Sequence, residues 1–392
     1  MTPLTPPLSK SDAQRALILG DILGLSVDLG VDELPNDVKV LQAGLAALKN
    51  AEATVDCHDG GAPFRFLLAQ AAVLPNHRTQ FTGTPRLGER PHAPLVAALR
   101  AALPGLQLDE GNPWPITVSA PPKIERAYFE VDAQLSSQFA SAVLLAAARL
   151  VTNGSSARVT VSANMTSEGY FQLTRSWLER AGFTLDADGT LRAPARRPAQ
   201  LPPIPGDWSS LGYLLALSWV SGLSVDRAQR NSGHPDEAVV SILGSAGLRF
   251  DGSRVTGSPT RGFEDVDCAR CPDAIPTLAV WATRLPAASR FTNTQILKLK
   301  ESDRLSATLA LLHAANAKAE VQGDTLVVHP SAVSSGFDFD ARDDHRMAMS
   351  AAVLARLFGQ RVRLRGMNSV AKSFPNFWRE AAKAGVLVEE AQ

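Results

Sequence analysis

Cysteine is scarce, with three in 392 residues, and so few thiols argue for a reducing compartment. An excess of either charge is missing too. Lys plus Arg number 39 and Asp plus Glu 39, so the net charge is zero and gives no bulk pull toward nucleic acid or membrane. Any anion binding must then come from local arrangement. Aromatic–basic interleaving is absent as well, which leaves nucleic-acid binding without support. No apolar run is long enough to span a bilayer. The opening MTPLTPPLSKSD lacks the apolar core of a signal peptide and the Arg-rich amphipathic character of a transit peptide. A cytoplasmic protein, without membrane or nucleic-acid partners, is the expectation.

What is present is ordinary globular composition, 45% hydrophobic and 20% charged, in a chain too long for one core. Two lobes are therefore expected. One local pattern returns six times: an amphipathic helix, a small residue or Gly, then a short apolar strand. It occurs at 45–55, 96–108, 176–185, 241–250, 311–321 and 377–388. Gly105, Gly182, Gly247 and Gly385, with Asn316 in the same role, suit left-handed helix C-caps. Near-even spacing predicts six repeats of one mixed α/β unit, three to a lobe. The Pro-rich LPPIPGD (201–207) is the predicted crossing, and Ser9-Lys10-Ser11 a second hinge if the N-terminal segment joins the later lobe.

Polar motifs gather at helix starts. In ILKLKESDRLSATLALLHAANA, Thr292 to Leu299 reads as a strand and Leu305, Leu309 and Leu312 as a helix face, with Ser302 as cap. Lys300, Glu301 and Arg304 would stand at that junction, where helix N–H groups favour anions. Ser11-Asp12-Ala13-Gln14 is a capping-box pattern that places Lys10 before a helix and Arg15 in its first turn. Asp59-Gly60-Gly61-Ala62-Pro63 precedes another helix, with Arg65 in its first turn. Ser136-Ser137-Gln138, Asp273, Asp344-His345-Arg346 and Lys372-Ser373 open further helices. Together they imply a cleft between lobes that binds more than one anionic group, with Asp, Glu and His for proton transfer. Cys268 and Cys271 form a lone CxxC without the further ligands a structural zinc requires.

SKSDAQRAL, SSQF, PDAIPTLAV, KLKESDRL, DDHRMAM and KSFPNFW resemble, in this order and spacing, the 5-enolpyruvylshikimate-3-phosphate (EPSP) synthase family. The resemblance implies a two-lobed inverted α/β barrel, the enolpyruvyl transferase fold of six βαβαββ-type repeats. Residues 12–204 would form the N-terminal lobe, and 1–11 plus 205–392 the C-terminal lobe. It implies transfer of the enolpyruvyl group of phosphoenolpyruvate to the 5-hydroxyl of shikimate 3-phosphate, with loss of phosphate, in aromatic amino-acid biosynthesis. No metal or organic cofactor is implied, and the chain is expected to be a monomer. By resemblance, Lys10, Gly61, Arg90, Gln138, Arg304, Arg346 and Lys372 hold phosphoenolpyruvate. Ser11, Arg15, Ser136, Ser137, Gln138, Ser167, Tyr170, Asp273 and Lys300 hold shikimate 3-phosphate. Asp273 is the base for the 5-hydroxyl, Glu301 and Lys10 move protons at the enolpyruvyl carbons, and His345 supports them.

The chain departs from the family pattern in places. Asp59 and Ala62 stand where Asn and Thr are usual, Phe66 replaces a common Pro, and Ile296 replaces an Asn. These changes bear on substrate affinity and on the response to glyphosate more than on the chemistry. Asp59 would repel an anion unless paired, with Arg65 as the expected partner. The segment before Lys10 is short, so a strand of the C-terminal lobe is expected to be missing or rearranged. Two alternatives stay open: a UDP-N-acetylglucosamine enolpyruvyl transferase, although FTGTPRLGERP lacks its loop cysteine, and a catalytically silent metabolite-binding paralogue.

Overall fold

The computed structural model describes residues 2–31, 33–111, 114–162 and 164–391. They form two compact units. One comprises residues 10–30 and 36–204, the other residues 1–9, 31–35 and 205–392. Lys10 and Ser11, expected with the C-terminal lobe, thus lie in the first of these, and 31–35 group with the second.

The first unit opens with α1 (Lys10–Leu23) and α2 (Asn36–Ala47). Next come β1 (Glu52–Asp56), α3 (Gly61–Ala72), β2 (Arg78–Thr82), α4 (Pro85–Glu89), α5 (Ala93–Ala102), β3 (Gln107–Glu110) and β4 (Ile116–Ser119). A second copy follows as β5 (Arg126–Val131), α6 (Ser137–Thr152), β6 (Ser156–Val161), α7 (Glu168–Arg180), β7 (Thr184–Leu185) and β8 (Thr190–Arg192). Both copies have one topology. The first two strands run parallel and the last two form an antiparallel hairpin on the second, in the orders β1-β2-β4-β3 and β5-β6-β8-β7.

The other unit carries α8 (Trp208–Ser221), α9 (Ala238–Ser245), β9 (Arg249–Phe250) and β10 (Val255–Thr256). A third complete copy is β11 (Val266–Asp267), α10 (Ile275–Ala282), β12 (Ser289–Thr292), α11 (Arg304–Ala314), β13 (Ala319–Gln322) and β14 (Thr325–Val328). The last is β15 (Phe337–Asp340), α12 (His345–Leu357), β16 (Arg361–Arg365), α13 (Phe377–Lys383) and β17 (Leu387–Glu390), an all-parallel three-stranded sheet.

In each unit the helices lie inside and the sheets outside, and the sequence dictates this. The α3, α6, α8 and α12 segments are apolar nearly all round, and almost every residue in them is buried. The strands instead alternate: in β5 only Ala127, Phe129 and Val131 point inward. Each unit closes over its own core.

The helix–Gly–strand echo holds at five of its six places. Gly105, Gly182, Gly247, Asn316 and Gly385 all take positive φ, from 57° to 92°, and lead into β3, β7, β9, β13 and β17. At 45–55 the pattern is different: α2 feeds β1, which begins the next repeat by pairing in parallel with β2. Among the described residues the α1–α2 copy carries no strand of its own. The segment before Lys10 makes two isolated bridges. Leu4 pairs in parallel with Val225 and Leu8 antiparallel with Gly206, both leucines being buried.

Candidate active site

In the 205–392 unit, Asp273 lies just before α10 and faces three cations. Its carboxylate accepts from Arg304 Nη1 at 2.8 Å and Arg346 Nη2 at 3.0 Å, with Lys300 Nζ 3.7 Å away. Glu301 accepts from Arg304 Nη2 at 2.7 Å and lies 3.8 Å from Lys372 Nζ. Asp344, 0% exposed, caps α12 through the Arg346 N–H at 2.9 Å and accepts from Arg304 Nε at 2.9 Å and the Ser302 hydroxyl at 2.8 Å. Lys300, Glu301, Arg304, Asp273, Arg346 and Lys372 therefore form one connected acid–base group.

Burial dominates the electrostatics and the partners reverse it. Burial alone would raise the Asp273 carboxyl, but Arg346, Lys300 and Arg304 hold it well below the usual carboxylate range. Burial alone would lower Arg304, but Asp344, Glu301 and Asp273 hold it above its ordinary value. Asp273 therefore keeps its negative charge and Arg304 its positive one. Removing one partner of the fully buried Arg304–Asp344 pair costs about 3–5 kcal/mol, because a charge is left uncompensated.

Corrections to the sequence reading concentrate here. Residues 294–299, read as strand, form a 3₁₀ turn after β12, because the chain leaves the sheet at Asn293 with φ 56°. Asp303 caps α11 in place of Ser302, accepting from the Ser306 N–H at 3.1 Å, while the Ser302 hydroxyl goes to Asp344. Lys372 ends a 3₁₀ turn, and the last helix starts only at Phe377. His345 is buried, with Nδ1 3.9 Å from Asp344 Oδ1.

The 10–204 unit holds a second polar set. Lys10 lies in the first turn of α1 rather than before it, and its Nζ is 2.8 Å from Asp37 Oδ2 at the start of α2. Gly60 caps α3, so Gly61, Ala62 and Pro63 are its first three residues rather than preceding it. Arg90 is 9% exposed and lies directly against Gly61, where an added Cβ would come within 2.4 Å of Nη1. Its Nε is buried without a partner, and among the described residues no hydrogen bond or ion pair reaches its guanidinium, which stands at the N-terminus of α3. Arg65 donates to Gln138 Oε1 at 2.6 Å and to the Pro91 carbonyl at 2.9 Å, across the Phe139 ring.

Ser136 caps α6, accepting from the Gln138 N–H at 3.3 Å; Ser137 and Gln138 occupy its first turn. Ser167 caps α7 in the left-handed region, φ 58°, with Tyr170 one turn on. Arg15, 3% exposed, donates to Thr174, the Ser11 carbonyl and the Tyr170 carbonyl, each at 2.8 Å. Phe66 lies beneath it, with the guanidinium carbon 5.6 Å from the ring centroid. Burial lowers Arg15 to about 10, against the opposing pull of Asp12 and Tyr170. Ala62 and Ile296, where polar residues are usual, pack on the cores of their units.

Four residues escaped the sequence reading: Asp37, Thr174, Ser209 and Asp236. Asp37 carried a weak signal as an acid in a first helical turn; the others had none. All three thiols are buried, and burial pushes Cys268 up to about 12 and raises Cys57 and Cys271 too, which suits inert side chains. Among the described residues no group of three or more His, Cys, Asp and Glu is placed to hold a metal.

Comparison with known proteins gives one answer. Residues 21–381 match the family model of EPSP synthase (3-phosphoshikimate 1-carboxyvinyltransferase). The 3-phosphoshikimate 1-carboxyvinyltransferase of Methanopyrus kandleri is 32% identical over 99% of this chain and 90% of its own length. That of Aeropyrum pernix is 33% identical over 97% of this chain and 88% of its own. Among solved structures, EPSP synthase from Acinetobacter baumannii superposes with a TM-score of 0.72 at 17% identity, covering 99% of this chain and 96% of that one. The enolpyruvyl transferase NikO from Streptomyces tendae gives 0.65 at 13% identity, covering 98% of this chain and 95% of that one. The fold is that of the enolpyruvyl transferases, and the chain belongs to the EPSP synthase (3-phosphoshikimate 1-carboxyvinyltransferase) family.

Proposed function

We propose that this chain transfers the enolpyruvyl group of phosphoenolpyruvate to the 5-hydroxyl of shikimate 3-phosphate, using the two polar sets just described. The observation that carries the reading is the acid–base group around Asp273, in which two carboxylates are interleaved with four cations. Addition requires that the hydroxyl lose a proton while C3 of phosphoenolpyruvate gains one. Elimination then expels phosphate as the new methyl group gives a proton back. Such chemistry needs cationic clamps and at least two proton carriers.

In this reading Asp273 takes the hydroxyl proton. Its clamps keep it ionised but make it a weak base. An anion bound at Arg346 and Arg304 offsets their charge and restores Asp273's basicity as both substrates assemble. Glu301 and Lys10 exchange protons with the enolpyruvyl carbons, with His345 supporting. Lys10, Arg90, Arg304, Arg346, Lys372, Gly61 and Gln138 hold phosphoenolpyruvate; Arg90 beside Gly61, with no acceptor among the described residues, supports an anion there. Ser11, Arg15, Ser136, Ser137, Ser167, Tyr170 and Lys300 hold shikimate 3-phosphate. We also read the protein as a cytoplasmic monomer. Three buried free thiols favour a reducing compartment, and sedimentation of the purified protein checks the mass.

The test is phosphate release from phosphoenolpyruvate, with shikimate 3-phosphate and UDP-N-acetylglucosamine as parallel acceptors. Release that depends on shikimate 3-phosphate is expected. Release with the sugar nucleotide alone, or with neither, overturns the reading. Asp273→Asn is expected to keep ligand binding and lose about 10²–10⁴-fold in turnover. Wild-type rate in that variant would remove Asp273 from the role of base.

A further inference from the structure

Two of the buried carboxylates beside the acid–base group have evident tasks. Asp344 compensates Arg304, and Asp207 caps α8 by accepting from the Ser210 N–H at 2.9 Å. Asp236, 0% exposed, sits in the 3₁₀ turn Pro235–Glu237, where its backbone N–H donates to His234 Nδ1 at 3.2 Å. Its Oδ2 accepts the hydroxyl of Ser209, the second residue of α8. The carbonyl of the same Ser209 accepts from Arg346 Nη1 at 3.3 Å, and Arg346 Nη2 donates to Asp273 Oδ2 at 3.0 Å. A continuous path thus runs from Asp236 through Ser209 and Arg346 to Asp273.

The physics of the path is specific. A guanidinium offers five N–H groups in a rigid plane, so fixing one terminal nitrogen orients the others. Ser209 can fix Nη1 only if its own backbone is held, and its hydroxyl on a buried carboxylate does that. Burial pushes the Asp236 carboxyl up, while His234 and Arg346 pull it down, so its charge and that of Arg346 sense each other directly.

We propose that Asp236 is a positioning residue: acting through Ser209, it fixes the Arg346 guanidinium so that one terminal nitrogen engages Asp273 and the remaining N–H groups serve the phosphoenolpyruvate anion. This rests on the roles given to Arg346 and Asp273 under the proposed function.

Wild type, Asp236→Ala, Asp236→Asn and Ser209→Ala are compared for kcat, for KM of each substrate, and for phosphoenolpyruvate affinity by calorimetry. Asp236→Ala and Ser209→Ala are expected to raise the phosphoenolpyruvate KM and Kd about tenfold, the scale of one hydrogen bond to a charged group, with the shikimate 3-phosphate KM within about twofold. Asp236→Asn keeps an oxygen that accepts the Ser209 hydroxyl, so it is expected to recover most of that loss. Unchanged phosphoenolpyruvate affinity in both Ala variants overturns the proposal. So does an equal rise for both substrates with no recovery in Asp236→Asn, which is what general loosening of the fold would give. If Asp236→Ala does not fold, Ser209→Ala decides by the same criteria. An inactive wild type would sink the transferase reading instead, and the calorimetric comparison would still decide the role of Asp236.

Discussion

A guanidinium that is 9% exposed, has no acceptor among the described residues and has its Nε fully buried, as at Arg90, gives up part of its hydration. Folding alone gains nothing from it. Arg90→Met, similar in reach and uncharged, is therefore expected to stabilise the protein by about 1–2 kcal/mol. The same change removes a charge-assisted contact worth about 1.5–3 kcal/mol, so the phosphoenolpyruvate KM should rise by one to two orders of magnitude. Urea unfolding and steady-state kinetics measure the two effects. A variant less stable than wild type would show that Arg90 serves the fold. Arg15 is the opposite case. Its three nitrogens already have protein acceptors, and Phe66 supports it from below. The replacement of the family's usual Pro by Phe66 thus has a local reason, a flat ring under a cation, that no reading of the motif revealed.

Among the elements, α5 carries a pH dependence. His92, 7% exposed, is its N-cap; Nε2 is 2.8 Å from the Leu87 carbonyl and the ring packs edge-on to Phe64. Burial first, then Arg65, with Arg90 adding, lowers it from 6.5 to about 3. As pH falls below 6.5 the unfolded chain takes up this proton and the folded chain does not. Stability is therefore lost progressively from 6.5 down toward 3, by about 1.4 kcal/mol per pH unit. Between pH 7 and 5, wild type is expected to lose about 2 kcal/mol more than His92→Gln in urea unfolding. Equal losses would mean that His92 is protonated in the folded state. The corrected elements share one cause. Over 294–299 the backbone is wound into 3₁₀ geometry instead of extended, a choice set by its surroundings that residue alternation does not encode.

For the whole molecule, Leu4 reports how the chain is assembled. It is buried within a unit most of whose residues, 205–392, lie some 200 positions later. Its N–H donates to the Ser224 carbonyl at 2.8 Å and its carbonyl accepts from the Asp226 N–H at 3.0 Å. The Thr5 N–H reaches the buried Glu380 at 3.0 Å. Leu4→Ala should destabilise the 205–392 unit by about 2–5 kcal/mol. Hydrogen exchange is the measurement: amides of β11–β17 should exchange faster and those of β1–β8 should not. Equal acceleration in both units would mean that they unfold as one.

Much of this protein was decided along the chain. Apolar helices, period-2 strands and turn residues are local properties, so five of the six repeat junctions and the ordered motifs from Lys10 to Lys372 were legible along the chain, whereas the starts of α1, α11 and α13 shifted by one to a few residues. The motif residues were legible too, but not which of them touch. Contacts between residues far apart in sequence belong to tertiary structure. Asp344 joins Arg304, Ser209 links Asp236 to Arg346, and Asp37 meets Lys10 only because helices from separate segments converge. Burial, too, exists only in the folded chain. It leaves the Nε of Arg90 without an acceptor and lowers His92, because burial depends on everything packed around a group and not on its neighbours in sequence.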